Sequence, residues 1–336
     1  MSLQIGLRSV AAAVMAATLA ACGGASDRAA ETVNVSMALD WYPWANHTGL
    51  YIAQEKGYYA EVGLQVDIYT PADPSTVLQT VGAGRDDFGI SYQSEVLLAR
   101  AAGVPVVSVA GLVQHPLNSV MALADSGVTR PRDLVGRKVG YPGLPTDVPL
   151  LRTMVEADGG DFDNVELVNV RFDLVPALLS GKVDAVVGAY WVHESILIRQ
   201  QLGSDPVILR MEKWGVPDFY ELVLVASEKT IKERPERVQA FLRAVLRGYA
   251  EAATDVDGAI DTLVEANPEV DPVLEREGIR LLSPLWTAGV PAFGWQTAER
   301  WRSFADWMVA NGDLDADVDP DLAFTNRFVE ELSAPE

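Results

Sequence analysis

The chain has 336 residues, 49% of them hydrophobic, which is enough for two lobes of roughly 100–150 residues each. Its formal charge is −21, from 47 acidic and 26 basic residues. This balance argues against binding to a phosphate backbone, so we expect no nucleic-acid partner and consider cationic or amine-bearing small ligands instead.

The first 22 residues differ from the rest of the chain. Arg8 is followed by the apolar run 10–21, which is too short for a membrane span of about 20 residues but typical of a secretory signal peptide. The run ends at Leu19-Ala20-Ala21-Cys22-Gly23, which resembles the lipobox of bacterial lipoproteins. We predict a signal peptide at 1–21 and a lipidated Cys22 that begins a tether at 22–32. The alternative is that Cys22 is a buried core cysteine.

This interpretation places the protein outside the cytoplasm, in the periplasm or at the cell surface, anchored to the cell membrane by its N-terminal lipid. Cys22 is the only cysteine, which excludes an internal disulfide framework and a multi-cysteine metal site.

Strands and helices alternate along most of the chain, which predicts an α/β fold with mostly parallel sheets. In the first part, strands are predicted at 33–39, 64–68, 88–91, 106–110 and 119–122, and helices at 48–57 and 74–84. In the middle part, strands are predicted at 138–141, 165–169 and 185–188, and helices at 148–157 and 175–180. After a strand at 222–226, helices are predicted at 235–252, 256–266, 273–282 and 296–310.

Two segments look like weak internal copies of each other. Residues 84–90 and 181–188 both run from a glycine and a basic residue through an aspartate into an apolar strand. An aromatic residue and a glutamate follow both strands. The pattern favours two lobes of related topology, and the alternative is chance similarity between two helix–strand turns.

Ligands of open α/β sheets bind beyond the carboxyl ends of the strands, so the residues that follow each strand are candidate site residues. These are Asp40, Trp41, Tyr42, Trp44, Asn46 and His47, then Tyr92 and Glu95, then residues 141–146, and finally Tyr190, Trp191 and Glu194. Aromatic rings stack on a flat ligand, and carboxylates accept hydrogen bonds from its amino groups. Taken singly, each residue could equally be a core, rim or solvated side chain.

The loop 140–147 joins a predicted strand to a helix, and backbone amides at such a helix start can hold an anion. Asp147 argues against a bound phosphate there. The alternative, a tight turn with Thr146 or Asp147 as the helix N-cap, is the interpretation that we favour.

Signals of catalysis are poor. His47, His115 and His193 lack the spacing of metal ligands, and the chain has no nucleophile elbow, Walker loop or dinucleotide fingerprint. We therefore expect no metal, no cofactor and no enzyme activity.

Residues 39–53, continuing through 56–59 to Gly63 and Leu64, resemble the opening of the thiamine-pyrimidine-synthase-like (SsuA-like) family of type II periplasmic-binding-protein folds. Further matches lie at 84–86, 89–92, 174–185 and 221–226, and the resemblance covers roughly 33–250. Within the family the chain is similar to bacterial binding proteins that deliver thiamine pyrimidine precursors.

The resemblance implies two α/β lobes joined by two crossover segments, with the ligand between them. The first lobe would comprise 33–123 plus 220–336, and the second 124–219. The implied role is that of a monomeric substrate-binding lipoprotein, which carries a formylaminopyrimidine or hydroxymethylpyrimidine type of ligand to the permease and ATPase subunits of an ABC importer.

The resemblance also implies roles for individual residues in binding the heteroaromatic ligand. Trp41 with Trp191 or Tyr92 would sandwich the ring, and Glu194 or Glu95 would pair with its amino edge. Asp40 and Asn46 would orient their loop or contact the side arm of the ligand. Tyr141 and Tyr220 complete the predicted set.

Two alternatives follow from the same resemblance. A similar branch is assigned to riboflavin uptake, and the rings of Trp41, Tyr42, Trp44 and Trp191 offer more area than one pyrimidine requires. The family also contains a pyrimidine synthase that uses pyridoxal phosphate. This chain departs from the synthase pattern: Ser91 stands at the position of the cofactor lysine, Glu95 near that of a histidine, and 216–220 lacks the cysteine-rich motif.

Overall fold

The computed structural model describes residues 32–333, so the predicted signal peptide, Cys22 and nearly all of the tether lie outside the described residues. The first sheet is built from β1 (Val33–Ala38), β2 (Leu64–Tyr69), β3 (Phe88–Ser91), β4 (Val106–Val113) and β10 (Leu222–Ser227). The second contains β5 (Asn118–Ala122), β6 (Lys138–Tyr141), β7 (Glu166–Asn169), β8 (Ala185–Tyr190) and β9 (Val207–Arg210).

Thirteen α-helices in this part of the chain surround the sheets. The first seven are α1 (Thr48–Glu55), α2 (Tyr58–Glu61), α3 (Val77–Gly82), α4 (Gln93–Ala101), α5 (Asp147–Ala157), α6 (Leu174–Leu179) and α7 (Glu194–Leu202). The other six are α8 (Glu228–Glu233), α9 (Pro235–Thr254), α10 (Val256–Ala266), α11 (Pro272–Leu282), α12 (Ala298–Ala310) and α13 (Arg327–Ser333).

The two sheets have the same topology. Their strand orders are β2-β1-β3-β10-β4 and β7-β6-β8-β5-β9. In each sheet the first three strands are parallel, and one strand, β10 or β5, runs antiparallel to both of its neighbours. The segments that resemble each other in sequence lead into β3 and β8, which occupy the same central place. The expectation of two related α/β units is therefore confirmed.

The strand β5 belongs to the second sheet, where it pairs with β8 and β9. The predicted division at residue 123 grouped this strand with the first sheet. Which sheet a strand joins depends on long-range pairing, which the local sequence does not reveal. The chain passes between the sheets at 114–117 and returns between β9 and β10.

The C-terminal helices complete the first core. One face of α9 is apolar, and its Phe241 ring stacks on Phe88 of β3 with centroids 4.0 Å apart. All eight residues of β4 are buried although it is an edge strand. Isolated bridges from Ser108 to Phe324 and from Gly111 to Gly294 cover that edge.

The predicted strands all form, but β9 and the helices α2, α4, α7, α8 and α13 were not predicted. In α4 the apolar residues Val96, Leu97 and Leu98 are consecutive, so the segment does not show the spacing of an amphipathic helix. No helix within residues 32–333 is long and apolar enough to cross a membrane.

Candidate functional site

A cleft lies where the carboxyl ends of β1, β3, β6 and β8 meet. It holds about 620 Å³ of empty space, part of it open to solvent. Its walls carry four acids and five aromatic residues: Asp40, Asp147, Glu194 and Glu221, and Trp41, Trp44, Tyr92, Tyr190 and Phe219. A pocket of this size that combines apolar walls with a few polar groups is typical of a small-molecule site.

Asp40 follows β1, and its buried side chain accepts hydrogen bonds from two neighbours. The backbone amide of Trp44 donates to His47 Nδ1 at 3.3 Å, so the ring carries its proton on Nε2 and donates it to Asp40 Oδ1 at 3.0 Å. Tyr92, which follows β3, donates its hydroxyl to Asp40 Oδ2 at 3.3 Å. These contacts fix the Asp40 carboxylate at the floor of the cleft.

Glu221 is buried between the two segments that connect the sheets. Its Oε2 accepts the backbone amides of Leu117 at 2.6 Å and Asn118 at 2.9 Å. Burial raises the pKa of this carboxyl to about 7, although the two amides and the Tyr190 hydroxyl oppose the shift. Glu221 therefore belongs to the segment between β9 and β10, and its carboxyl group contacts the other segment, between β4 and β5. The same carboxyl group faces the cleft.

Aromatic side chains from both sheets form the apolar part of the walls. The Trp44 and Tyr190 rings lie 5.7 Å apart between centroids. The Tyr190 hydroxyl is hydrogen-bonded to Tyr92, and burial raises the pKa of both phenols well above the usual value. Both tyrosines are therefore neutral hydrogen-bond donors at physiological pH.

His193 links the cleft wall to α11. Its Nδ1 lies 3.1 Å from Glu194 Oε1, and its Nε2 lies 3.0 Å from Glu275 Oε1. Burial opposes the charge on the imidazole, but the two carboxylates outweigh it and raise the pKa of His193 to about 10. Glu194 also accepts the Tyr190 amide at 2.7 Å, and Glu275 accepts the Ala45 amide at 2.7 Å.

Asp147 is the first residue of α5 and is 1% exposed. Its Oδ2 accepts the backbone amide of Leu144 at 2.9 Å. Burial and the charges of Glu95 and Glu221 raise the pKa of Asp147 well above its usual value, while the amides of Leu144 and Gly143 oppose the shift.

A family model described as NMT1/THI5 like matches residues 44–259. The chain belongs to the NMT1/THI5-like family. One relative of this NMT1/THI5-like chain is the formylaminopyrimidine-binding protein of Halalkalibacterium halodurans, 42% identical over 304 residues, which span 89% of this chain and 91% of the relative. Another is the 4-amino-5-hydroxymethyl-2-methylpyrimidine phosphate synthase of Legionella pneumophila. It is 27% identical over 88% of this chain and 92% of the synthase.

Solved structures share the fold of this NMT1/THI5-like protein. The alkanesulfonate-binding protein SsuA from Xanthomonas axonopodis, bound to MOPS, matches with a TM-score of 0.69 at 16% identity, covering 88% of this chain and 99% of SsuA. A Candida albicans protein with the generic periplasmic-binding-protein fold matches with a TM-score of 0.62 at 16% identity, covering 88% of this chain and 96% of that one. The predicted family resemblance and the two-lobed α/β periplasmic-binding-protein fold are thus confirmed.

Four of the nine predicted ligand contacts line the cleft of this NMT1/THI5-like chain: Asp40, Trp41, Tyr92 and Glu194. Glu95 lies outside it, where its Oε1 accepts the Thr146 hydroxyl at 2.8 Å. Asn46 is buried beneath the site, and its Oδ1 accepts Trp286 Nε1 at 3.1 Å. Both residues hold neighbouring elements in place.

The other three predicted contacts also lie away from the cleft. Trp191 donates its Nε1 to the Pro116 carbonyl at 3.2 Å. The Tyr220 hydroxyl accepts the Thr297 amide at 2.7 Å. Tyr141 packs against the hydrophobic core that contains Val139 and does not line the cleft.

Two of these differences have a common cause. Successive side chains of an extended chain point to opposite sides, so an error of one residue selects the wrong face. Tyr190, which was itself a strand-end candidate, lines the cleft where Trp191 was chosen as the ligand contact, and Glu221 lines it where Tyr220 was predicted.

Sequence reasoning also missed the residues at the N-terminal ends of antiparallel strands. It took its candidates from the residues that follow each strand, which lie at the carboxyl edge of the sheet only when the strand is parallel to its neighbours. In the antiparallel strands β5 and β10, the residues at the N-terminal end lie beside the carboxyl ends of the parallel strands, because Asn118 pairs with Tyr190 and Val223 with Ser91. Asn118 and Glu221 reach the cleft for this reason.

Within residues 32–333, no group of three or more His, Cys, Asp or Glu side chains is arranged to hold a metal ion. The acids of the cleft are spread around its walls. Their arrangement suits hydrogen-bond donors on several edges of one organic ligand.

Proposed function

We propose that this protein is the extracytoplasmic substrate-binding component of an ABC importer, which captures an aminopyrimidine of the formylaminopyrimidine or hydroxymethylpyrimidine type. The observation that carries the proposal is the cleft, in which the buried Glu221 carboxyl faces aromatic walls from both sheets. The 42% identity to a formylaminopyrimidine-binding protein over most of both chains supports it.

The ligand's ring would lie against the aromatic walls, which include Trp41 and Trp44. The Glu221 carboxyl would accept hydrogen bonds from the exocyclic amine and a protonated ring nitrogen. The Tyr92 hydroxyl, which donates its proton to Asp40, would offer its oxygen to the ligand as an acceptor. Because the walls come from both sheets, binding would hold the two lobes together, and the permease would recognise that closed form.

The proposal favours binding over catalysis. Synthases of the family are 27% or 28% identical to this chain, less than the binding protein. A pyridoxal phosphate enzyme needs a lysine for its Schiff base, and the residues that line this cleft include no lysine.

We further propose that the protein is a monomer, that 1–21 is a signal peptide and that lipidated Cys22 anchors the chain to the membrane. The support for the signal peptide and the anchor is the sequence pattern of the first 23 residues. Mass spectrometry of the membrane fraction should find Cys22 as the N-terminal residue with a diacylglycerol. A chain that still begins at Met1 would contradict the anchor.

The flavin alternative has less support. It depended on a large combined ring area, but Tyr42 and Trp191 do not line the cleft. Of the four residues on which this alternative rested, Trp41 and Trp44 remain at the cleft.

Titration calorimetry on the full chain tests the proposal. Formylaminopyrimidine and hydroxymethylpyrimidine are titrated separately, with riboflavin as the comparison. We expect at least one pyrimidine to bind with a micromolar or lower Kd and riboflavin to give no heat. Binding of riboflavin without either pyrimidine would reverse the assignment, and the absence of all binding would refute it.

A further inference from the structure

The start of α5 is the place in the cleft where an anion would be expected to bind. Backbone amides at a helix N-terminus lack partners within the helix and attract negative groups. Here the side chain of Asp147 turns back and occupies amides of the loop that leads into the helix. Its carboxyl accepts the Leu144 amide at 2.9 Å and a second hydrogen bond from the Gly143 amide.

The rest of the cleft offers an anion no compensation. Its described lining contains four acids and neither lysine nor arginine. The one cation, His193, is already held between Glu194 and Glu275. A phosphate monoester carries about −1.5 to −2 charges at pH 7 and would lose its hydration here without gaining a counter-charge.

We propose that the cleft accepts an unphosphorylated pyrimidine and rejects the phosphate ester of the same base, and that Asp147 sets this selectivity by occupying the loop amides with its own carboxyl group. The inference rests on the proposed function, because the cleft must first bind a pyrimidine. It makes Asp147 a specificity-determining residue.

Competition binding tests the inference. Formylaminopyrimidine is bound to the full-length protein, and hydroxymethylpyrimidine or its phosphate ester is added as competitor. Since like charges in one site cost several kcal/mol, we expect the ester to compete at least about 100-fold less well than the base.

Two variants separate the two effects of Asp147: its occupation of the loop amides and the acidity of its side chain. Asp147→Ala frees both amides and removes the acid, so the ratio of ester to base affinity should rise at least tenfold. Asp147→Asn keeps an acceptor oxygen and removes the acid, and we expect a rise of about threefold, which is measurable even if the alanine variant does not fold.

The matched control is Asp125→Asn. Asp125 is exposed and follows the C-terminal end of β5. That end is far from the cleft, because Ala122 pairs there with Ala185, the first residue of β8. The substitution of Asp125 should leave the ratio of ester to base affinity unchanged. Equal competition by ester and base in the unmodified protein, or an unchanged ratio in both Asp147 variants, overturns the inference but not the proposed function. Only a failure of both formylaminopyrimidine and hydroxymethylpyrimidine to bind counts against the proposed function.

Discussion

The Glu221 carboxylate accepts the backbone amide of Asn118 at 2.9 Å, so an ionisable group lies between the two segments that join the lobes. The contact couples the ligand site to the connection about which the lobes would move. It also makes both stability and binding depend on the charge of Glu221.

Glu221→Gln is expected to stabilise the free protein at pH 8. The pKa of Glu221 is raised from 4.5 to about 7, so the folded state binds its proton more tightly than the unfolded state. Stability from this group is thus lost as the pH rises from 4.5 to 7, by about 3 kcal/mol in total. Urea unfolding should show the variant as more stable at pH 8 and little changed at pH 5.

The same substitution should weaken binding. Glutamine offers the ligand one acceptor oxygen and no charge, so we expect the Kd for the pyrimidine to increase at least tenfold. A variant that binds normally, or that loses equal stability at both pH values, would contradict the role given to Glu221.

His193→Gln should remove a pH-dependent part of the stability. The pKa of His193 is raised from 6.5 to about 10, so its contribution is complete below pH 6.5 and is lost as the pH rises through 10. Breaking this buried ion-pair group should cost about 3 kcal/mol at pH 6. Unfolding curves at pH 6, 8 and 10 measure how the difference declines.

The control for this experiment is His115→Gln. His115 is partly exposed and pairs with Asp218 at 2.8 Å near the surface. Its loss should change stability by less than about 1 kcal/mol. A cost for His193→Gln that is the same at all three pH values would show that the residue acts by packing alone.

Phe172→Ala should accelerate ligand release. Phe172 follows β7 in the second lobe, and its ring lies 4.3 Å from that of Trp41 and 4.8 Å from that of Tyr42, both in the first lobe. Two aromatic pairs contribute about 1–3 kcal/mol, so the dissociation rate should rise roughly tenfold. Stopped-flow tryptophan fluorescence measures it. Ile208→Ala, an exposed apolar change on β9, should leave the rate unaltered.

Gly188→Ala should damage the cleft itself. Gly188 has a φ of +93°, and an added Cβ would lie 2.7 Å from Pro142 Cδ. Gly181 has a φ of +71° with open space around it, so Gly181→Ala measures the cost of the backbone conformation alone. We expect Gly188→Ala to lower the melting temperature further and to abolish pyrimidine binding. Equal effects of the two substitutions would show that the close contact is unimportant.

The sequence allowed nine of the ten strands to be predicted, because these are short apolar runs between clear turn signals. It also located Asp40, Trp41, Tyr92 and Glu194, since each follows a strand whose direction was predicted correctly. The signal was positional: it found the strand ends that meet at the cleft, but not which side chain at each end faces it.

Glu221 could not be assigned in this way because it precedes a strand. Its position at the site depends on β10 running opposite to β3, a property of pairing between residues more than 100 positions apart. The pairing of Glu95 with Thr146 is also a tertiary contact, made between α4 and the loop before α5. Local patterns do not contain such information.

The insertion of β10 between β3 and β4 has a consequence for how the protein is made. The second sheet is complete once the chain has reached Arg210, whereas the first lacks an internal strand until Ser227 has been synthesised. The lobe that carries Asp40 and Tyr92 is therefore finished last. A chain still emerging from the ribosome or the translocation channel cannot sequester solute, and binding begins only when the molecule is nearly whole.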